Sequence, residues 1–121
     1  MDDERVWRFE ESLWRASDER YHERVDPDCV MALSQAPWIF AGEAAVEAVS
    51  GTPAWDEVAF SDREVHRPEE GLIAVAYRVA AAKGGTRFAA ACTSVYRRRE
   101  HDDWTVVQHA QVVLAPGGGE A

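Results

Sequence analysis

The second half of the chain consists of β-rich segments separated by very short connections. Connections of this length join antiparallel neighbours, because a parallel crossover needs a dozen or more residues. At about 12 residues each, the segments are also about twice as long as an ordinary strand, so a sheet built from them must curl. The pattern predicts a curved antiparallel meander of four strands after Pro53: Trp55–His66, Leu72–Lys83, Thr86–Arg99 and Asp103–Leu114.

The first half of the chain predicts helices and short strands. Val6, Phe9 and Leu13 recur at helical spacing, which indicates an amphipathic helix from Asp3 to about Ala16. The elements expected next are a short helix from Ser17 that the Asp26-Pro27 turn ends, a strand Asp28–Leu33, its hairpin partner Trp38–Phe40, and a small helix Gly42–Ser50. Helices that precede a long antiparallel sheet define the α+β class.

Size and charge limit the possible partners. A chain of 121 residues with 46% hydrophobic content predicts one domain over residues 1–115, followed by a disordered Gly-rich tail over 116–121.

A formal net charge of -9 repels phosphate backbones and anionic lipids, so we expect neither nucleic-acid nor membrane binding. The sequence shows no signal-peptide layout and no apolar run of the ~20 residues that span a bilayer, which predicts a cytoplasmic location.

The cysteine and arginine patterns predict structural roles. Cys29 and Cys92 lie in separate apolar segments and are expected to be reduced core thiols. Neither they nor the histidines have the spacing of metal ligands, so no metal and no cofactor is expected. Acidic residues follow the run Arg97-Arg98-Arg99 at once, which predicts a solvated hairpin end.

Polar side chains interrupt the last strand. Strand alternation places His109 and Gln111 on one face and Gln108 on the other. Polar groups among apolar strand residues need partners or a ligand, so this face predicts a polar spot inside a pocket. Whether the face points into the domain or towards a partner stays open, because one bulge exchanges the two faces.

Small residues mark the opposite surface of the predicted sheet. Ala74, Ala76, Ala89 and Ala91 recur along two of the long strands. An apolar sheet face of this kind is better covered by another sheet than by water. The pattern therefore predicts a homodimer that forms through the sheet face.

Several short motifs appear in the order of one known family. They are Val30-Met31-Ala32-Leu33, Ala76-Tyr77-Arg78, Ser94-Val95-Tyr96 and Trp104 to Gln111, with Glu10 and Leu13-Trp14 in the first helix. From about Trp7 to Leu114 the chain resembles the nuclear transport factor 2-like (SnoaL-like) superfamily, and within it the bacterial domain of unknown function 4440 family. The resemblance implies a cone-shaped curved antiparallel sheet wrapped around N-terminal helices, the cystatin-like half-barrel, with a central cavity.

The chain departs from the motifs of that bacterial family at several positions. Leu13 stands where an aromatic residue is usual, Thr105 replaces a basic residue, Ala110 replaces a Gln, and Val112-Val113 replace Thr-Pro. His109 and Gln111 match the pattern. Because the bacterial family has no settled activity, the resemblance supports the fold more than a reaction.

His109 is the candidate catalytic group. An imidazole titrates near neutral pH and suits general acid or base chemistry. The alternative is a neutral histidine hydrogen-bonded within a polar cluster. Superfamily enzymes resembling steroid isomerases and polyketide cyclases place a carboxylate base where this chain has Leu33, which cannot accept a proton.

Large aromatic residues are candidates for a ligand-binding wall, although each is also a plausible core residue. With Gln111, the predicted ligand-binding residues are Trp14, Trp38, Trp55, Tyr77 and Tyr96. The preferred function is a non-catalytic or weakly catalytic domain that binds a small apolar or aromatic ligand. One alternative is a cofactor-independent isomerase, dehydratase or cyclase with His109 as general base. The other is a dimerisation or assembly module without a ligand.

Overall fold

The computed structural model describes residues 1–15, 24–50 and 54–114. Its helices and strands are α1 (Asp3–Arg15), β1 (Val25–Ala32), β2 (Ile39–Ala41), α2 (Glu43–Ser50), β3 (Glu57–Glu69), β4 (Leu72–Lys83), β5 (Thr86–Glu100) and β6 (Asp103–Val113). The strands form one sheet in the order β2-β1-β6-β5-β4-β3. The curved, unclosed sheet packs around the helices, which confirms the predicted α+β cone.

The meander from β3 to β6 is antiparallel throughout, as predicted. Gly71 and Gly84 take positive φ angles of 81° and 58° in the turns on either side of β4, a conformation that costs other residues energy. Register shifts in β3, between Ser61 and Glu64, and between β5 and β6, at Val95 and Tyr96, mark bulges. Bulges bend long strands, and the bending forms the concave face.

The N-terminal strand differs from the prediction. β1 begins at Val25 and runs parallel to β6, so Asp26 and Pro27 lie within a strand and the turn expected there is wrong. The sheet tolerates Pro27 because the pairing of β1 with β6 is irregular between Val25 and Val30. The predicted second helix otherwise falls largely on residues 16–23, outside the described residues, as does the predicted tail.

Helix α1 covers the concave face of the sheet. Asp2 caps its first turn, because the Asp2 carboxylate accepts a hydrogen bond from the Arg5 N–H at 2.8 Å. The helix buries Val6 and Phe9, and the Phe9 ring meets Tyr96 of β5 at a centroid distance of 5.0 Å. The apolar stripe of α1 thus forms one wall of the core.

The strands alternate between buried and more exposed residues, so every second side chain lies on the convex face. In β4 and β5 this face includes the small residues Ala74, Ala76, Ala89 and Ala91. The two cysteines are buried free thiols, as predicted. No helix among the described residues is long and apolar enough to cross a membrane. The domain bounds of 1–115 stay a prediction.

Candidate functional site

A cavity of about 300 Å³ opens between α1, the end of β1, α2 and the last two strands. Most of its wall is apolar or aromatic: Leu13, Trp14, Met31, Leu33, Val49, Trp55, Phe88 and Val106. Ser34 and Gln35 contribute from the segment that follows β1. His109 and Gln111 supply the remaining polar surface, and Glu10 borders the cavity behind them with only 1% of its surface exposed, so hydrogen-bonding groups interrupt an otherwise apolar wall.

Glu10 is the centre of the polar cluster. It lies one helical turn before Trp14 on the buried stripe of α1 and is only 1% exposed. Its carboxylate accepts hydrogen bonds from the hydroxyls of Tyr77, Tyr96 and Ser94, the last at 2.7 Å. Tyr77 in turn accepts the Trp14 indole N–H at 2.9 Å. The carboxylate is therefore held by hydroxyl donors from two strands.

The surroundings of Glu10 shift its protonation. Burial raises the pKa of Glu10 to about 7, although the hydrogen bonds from Tyr77 and Ser94 oppose the rise. The carboxyl group therefore titrates near neutral pH. The sequence prediction does not include Glu10 among the site residues, although an acidic residue on the stripe that also carries Phe9 and Leu13 is a signal for one.

His109 and Gln111 extend the cluster towards the cavity. Nδ1 of His109 lies 2.7 Å from the Ser94 hydroxyl and 3.7 Å from the nearer Glu10 oxygen, and Nε2 lies 3.2 Å from the Gln111 amide nitrogen. Burial lowers the pKa of His109 to about 4, so the imidazole is neutral at pH 7. Gln108 faces the opposite side of the sheet beside Thr93.

The predicted site residues fall into three groups. Trp14 and Trp55 line the cavity together with His109 and Gln111. Tyr77 and Tyr96 lie behind this wall, where their hydroxyls hold Glu10. Trp38 is 56% exposed and is not part of the wall. We therefore leave Trp38 out of the candidate site.

Leu33 lines the cavity, and no carboxylate replaces it at that position. The acid beside this cavity instead comes from α1. Within residues 1–15, 24–50 and 54–114, no group of three or more His, Cys, Asp or Glu residues lies together as a metal site requires.

A second buried carboxylate, Asp26, lies away from the cavity wall. It is 1% exposed and accepts hydrogen bonds from Thr105 and Arg97, both at 2.8 Å, and from the Asp28 N–H at 2.9 Å. Burial opposes ionisation, but these bonds and the Arg97 charge together lower the pKa of Asp26. Asp26 is thus a buried ion-pair partner of Arg97 and Arg99 rather than part of a turn.

The arrangement is that of a nuclear transport factor 2-like fold, and comparison with known proteins supports the fold. No protein-family sequence profile and no curated protein sequence matches the chain. A candidate ketosteroid isomerase from Parabacteroides distasonis has a similar structure, with a TM-score of 0.79 and 17% identity, over 92% of this chain and 86% of that one.

Two further structures show the breadth of the similarity. A nuclear transport factor 2-like protein from Cytophaga hutchinsonii gives a TM-score of 0.71 at 14% identity, over 94% of this chain and all of that one. The association domain of C. elegans CaMKII gives 0.69 at 12% identity, over 88% of each chain. At such identities the similarity establishes the fold alone.

Proposed function

We propose that this protein binds a small molecule in the cavity of the cone, with the polar part of the ligand at His109 and Gln111. One observation carries the proposal: an apolar and aromatic cavity of about 300 Å³ ends at a hydrogen-bonded chain of polar side chains. Ligand sites typically combine an apolar wall with a few placed polar groups, and this volume lies at the small end of their range.

The hydrogen-bonded chain of polar side chains is better explained by a binding site than by core packing. A buried carboxylate is costly unless it is hydrogen-bonded, and an aliphatic residue at position 10 would fill the same stripe of α1 without that cost. The fold instead places the hydroxyls of Tyr77, Tyr96 and Ser94 around Glu10 and connects them to the cavity through His109.

A cavity-filling variant tests the proposal. Val49→Phe adds volume inside the cavity, whereas Val46→Phe makes the same change one turn earlier on α2, outside the cavity wall. Ligand-observed NMR with a library of one- and two-ring fragments should detect binders to the wild type and to Val46→Phe that are lost in Val49→Phe. The proposal fails if the library yields no binder, or if Val49→Phe binds every hit as the wild type does.

A second candidate function is acid–base catalysis, and the titration of Glu10 near neutral pH favours it. His109 alone is a weak base at pH 7, because burial lowers its pKa to about 4. In the isomerase, dehydratase or cyclase alternative, Glu10 is therefore the proton acceptor and Ser94 and His109 connect it to the cavity. The test is deuterium exchange at the α-carbon of any ketone that binds. Exchange no faster than in buffer, or equally fast in Glu10→Gln, rules this function out.

We also propose that the chain forms a homodimer through the convex face of its sheet. Val30, Ile39 and Val112 are 50%, 65% and 67% exposed, and alanines with a few polar residues among them lie on the same face of β4 and β5. Apolar surface of this extent favours a partner, and the association domain of C. elegans CaMKII has a similar fold. Sedimentation velocity should show a dimer that Ala91→Arg dissociates, while Lys83→Glu at the end of β4 leaves it intact.

A monomer at micromolar concentration would contradict the dimer. A dimer whose cavity binds nothing would instead support the assembly-module alternative. Membership of the bacterial family and a cytoplasmic location stay predictions from the sequence.

A further inference from the structure

We infer that the ligand is an uncharged ring compound with a hydroxyl group, and that this hydroxyl hydrogen-bonds to Nε2 of His109 and to the amide of Gln111, replacing the direct contact between these two side chains. The inference rests on the proposed function, because it specifies the chemical class of ligand for the same cavity. It follows from the direction of the hydrogen bonds, the charge of the wall and the shape of the cavity.

The direction of the hydrogen bonds fixes the imidazole tautomer. The Ser94 hydroxyl has one proton, and it donates that proton to Glu10 at 2.7 Å. The Ser94 oxygen must then accept from Nδ1–H of His109, which lies 2.7 Å away. A neutral imidazole has a single N–H, so Nε2 presents a lone pair. The Gln111 amide nitrogen donates towards that lone pair at 3.2 Å.

A hydroxyl group matches this end of the cavity. Its O–H takes the place of the Gln111 N–H at the Nε2 lone pair of His109, and its oxygen accepts a hydrogen bond from the displaced Gln111 amide. If Glu10 takes up a proton, it can donate to Ser94, Ser94 can donate to Nδ1, and Nε2 of His109 then carries the N–H. A hydroxyl still fits, because it accepts as well as donates. An ether or a carbonyl can accept a hydrogen bond from Nε2 of His109 only in the second state.

The charge of the wall disfavours ionic ligands. The wall has no lysine or arginine among the described residues, and His109 is neutral, so a carboxylate or phosphate would be buried without a counter-charge and close to Glu10. An ammonium group would gain little, because Glu10 is 1% exposed and its oxygens already accept hydrogen bonds from three hydroxyls. An uncharged polar group avoids both costs.

The shape of the wall suits a flat ring. Trp55 and Phe88 stack at a centroid distance of 5.9 Å with an interplanar angle of 28°, and Trp14 meets Phe88 at the same centroid distance. Aromatic walls contact a ring compound over a large area. At about 300 Å³, the cavity fits one or two rings.

The titratable groups that face Glu10 come from three strands of the sheet. Tyr77 of β4, Cys92 and Tyr96 of β5 and His109 of β6 face it. Burial raises the pKa of Cys92 to about 12 and that of Tyr77 well above its usual value, so both stay protonated at neutral pH.

Four probes with one ring and different polar groups test the inference: para-ethylphenol, para-ethylanisole, para-ethylbenzoate and para-ethylbenzylamine. We expect the phenol to bind the wild-type protein roughly tenfold more tightly than the other three in NMR titrations at pH 7.5. Gln111→Leu should remove most of this preference and leave the anisole unchanged. Gln108→Leu, on the same strand but the opposite face, should bind all four as the wild type does.

The outcomes separate this inference from the proposed function. If the benzoate, the benzylamine or the anisole binds as tightly as the phenol, the cavity is a binding site but the hydroxyl preference is wrong. The same conclusion follows if the fragment library yields only compounds without a hydroxyl, or if Gln111→Leu keeps the preference. If no probe and no fragment binds, the proposed function itself is refuted.

Discussion

Replacing Glu10 with Gln should expose a pH dependence of stability that the wild-type site cancels. Burial raises the pKa of Glu10 from 4.5 to about 7, and one pKa unit corresponds to about 1.4 kcal/mol. Ionising Glu10 therefore costs the folded state about 3 kcal/mol. Because the pKa of Glu10 is higher in the folded state, the stability that depends on protonated Glu10 is fully present below pH 4.5. It is lost as the pH rises to about 7.

His109 acts in the opposite direction. Burial lowers its pKa from 6.5 to about 4, so the stability that depends on neutral His109 is fully present above pH 6.5 and is lost as the pH falls to about 4. The magnitude is again about 3 kcal/mol. Between pH 4.5 and 6.5 the two dependences have opposite signs, so the site contributes little net slope to wild-type stability.

Each variant removes one of the two dependences. Relative to the wild type, the free energy of unfolding of Glu10→Gln should rise by about 3 kcal/mol between pH 4.5 and 7.5. That of His109→Gln should rise by a similar amount as the pH falls from 6.5 to 4. Urea unfolding followed by tryptophan fluorescence, at one fixed protein concentration, measures both differences.

The control is Glu47→Gln on α2, which removes an exposed carboxylate. It removes one carboxylate, as Glu10→Gln does, but leaves the buried cluster unchanged, so its pH profile is the reference for that of Glu10→Gln. The reasoning is refuted if the difference between Glu10→Gln and the wild type changes by less than about 0.5 kcal/mol across the range, because a carboxyl group with an ordinary pKa gives that result.

The other predictions concern the second buried carboxylate, the indole donor and the pH dependence of binding. In urea unfolding at pH 7, Asp26→Asn should lower the free energy of unfolding by about 2 to 4 kcal/mol, and Thr105→Val should lower it by less. Equal effects would contradict the importance of the Asp26 charge. Trp14→Phe removes the 2.9 Å donor to Tyr77 and should cost about 1 to 2 kcal/mol in the same assay, whereas no loss would mean that water replaces the indole. In NMR titrations, a ketone probe such as para-methylacetophenone should bind more tightly as the pH falls through about 7, and Glu10→Gln should abolish that pH dependence. A pH dependence that persists in the variant would exclude Glu10 as its source.

The elements that sequence reasoning predicted well depend on local pattern. The stripe of Val6, Phe9 and Leu13 predicted α1, and the short connections predicted the meander. Alternation in the last strand placed His109 and Gln111 on the same face, but whether that face pointed inwards depended on the bulge between β5 and β6, which no local pattern shows.

The features that sequence reasoning missed depend on distant partners. Asp26 is buried because Arg97 and Thr105, 71 and 79 positions later in the chain, surround it. Without those partners, an Asp-Pro pair predicts a turn. The parallel pairing of β1 with β6 is equally non-local. Glu10 was visible as an acid on an apolar stripe, but its hydroxyl donors come from strands that the sequence could not place beside it.

The position of the acid determines which proton the cavity can exchange. A carboxylate at Leu33 would face a ligand directly, as abstraction of a proton from carbon requires. Glu10 is 1% exposed, and its hydrogen-bonded route to the cavity runs through Ser94 and His109. A proton that leaves a ligand hydroxyl for Nε2 of His109 is matched by the Nδ1 proton passing to Ser94 and the Ser94 proton passing to Glu10. Such a relay suits a proton on oxygen, which is already hydrogen-bonded to the imidazole. A proton on carbon offers no such bond, so the geometry favours recognition of a hydroxyl group over enolisation.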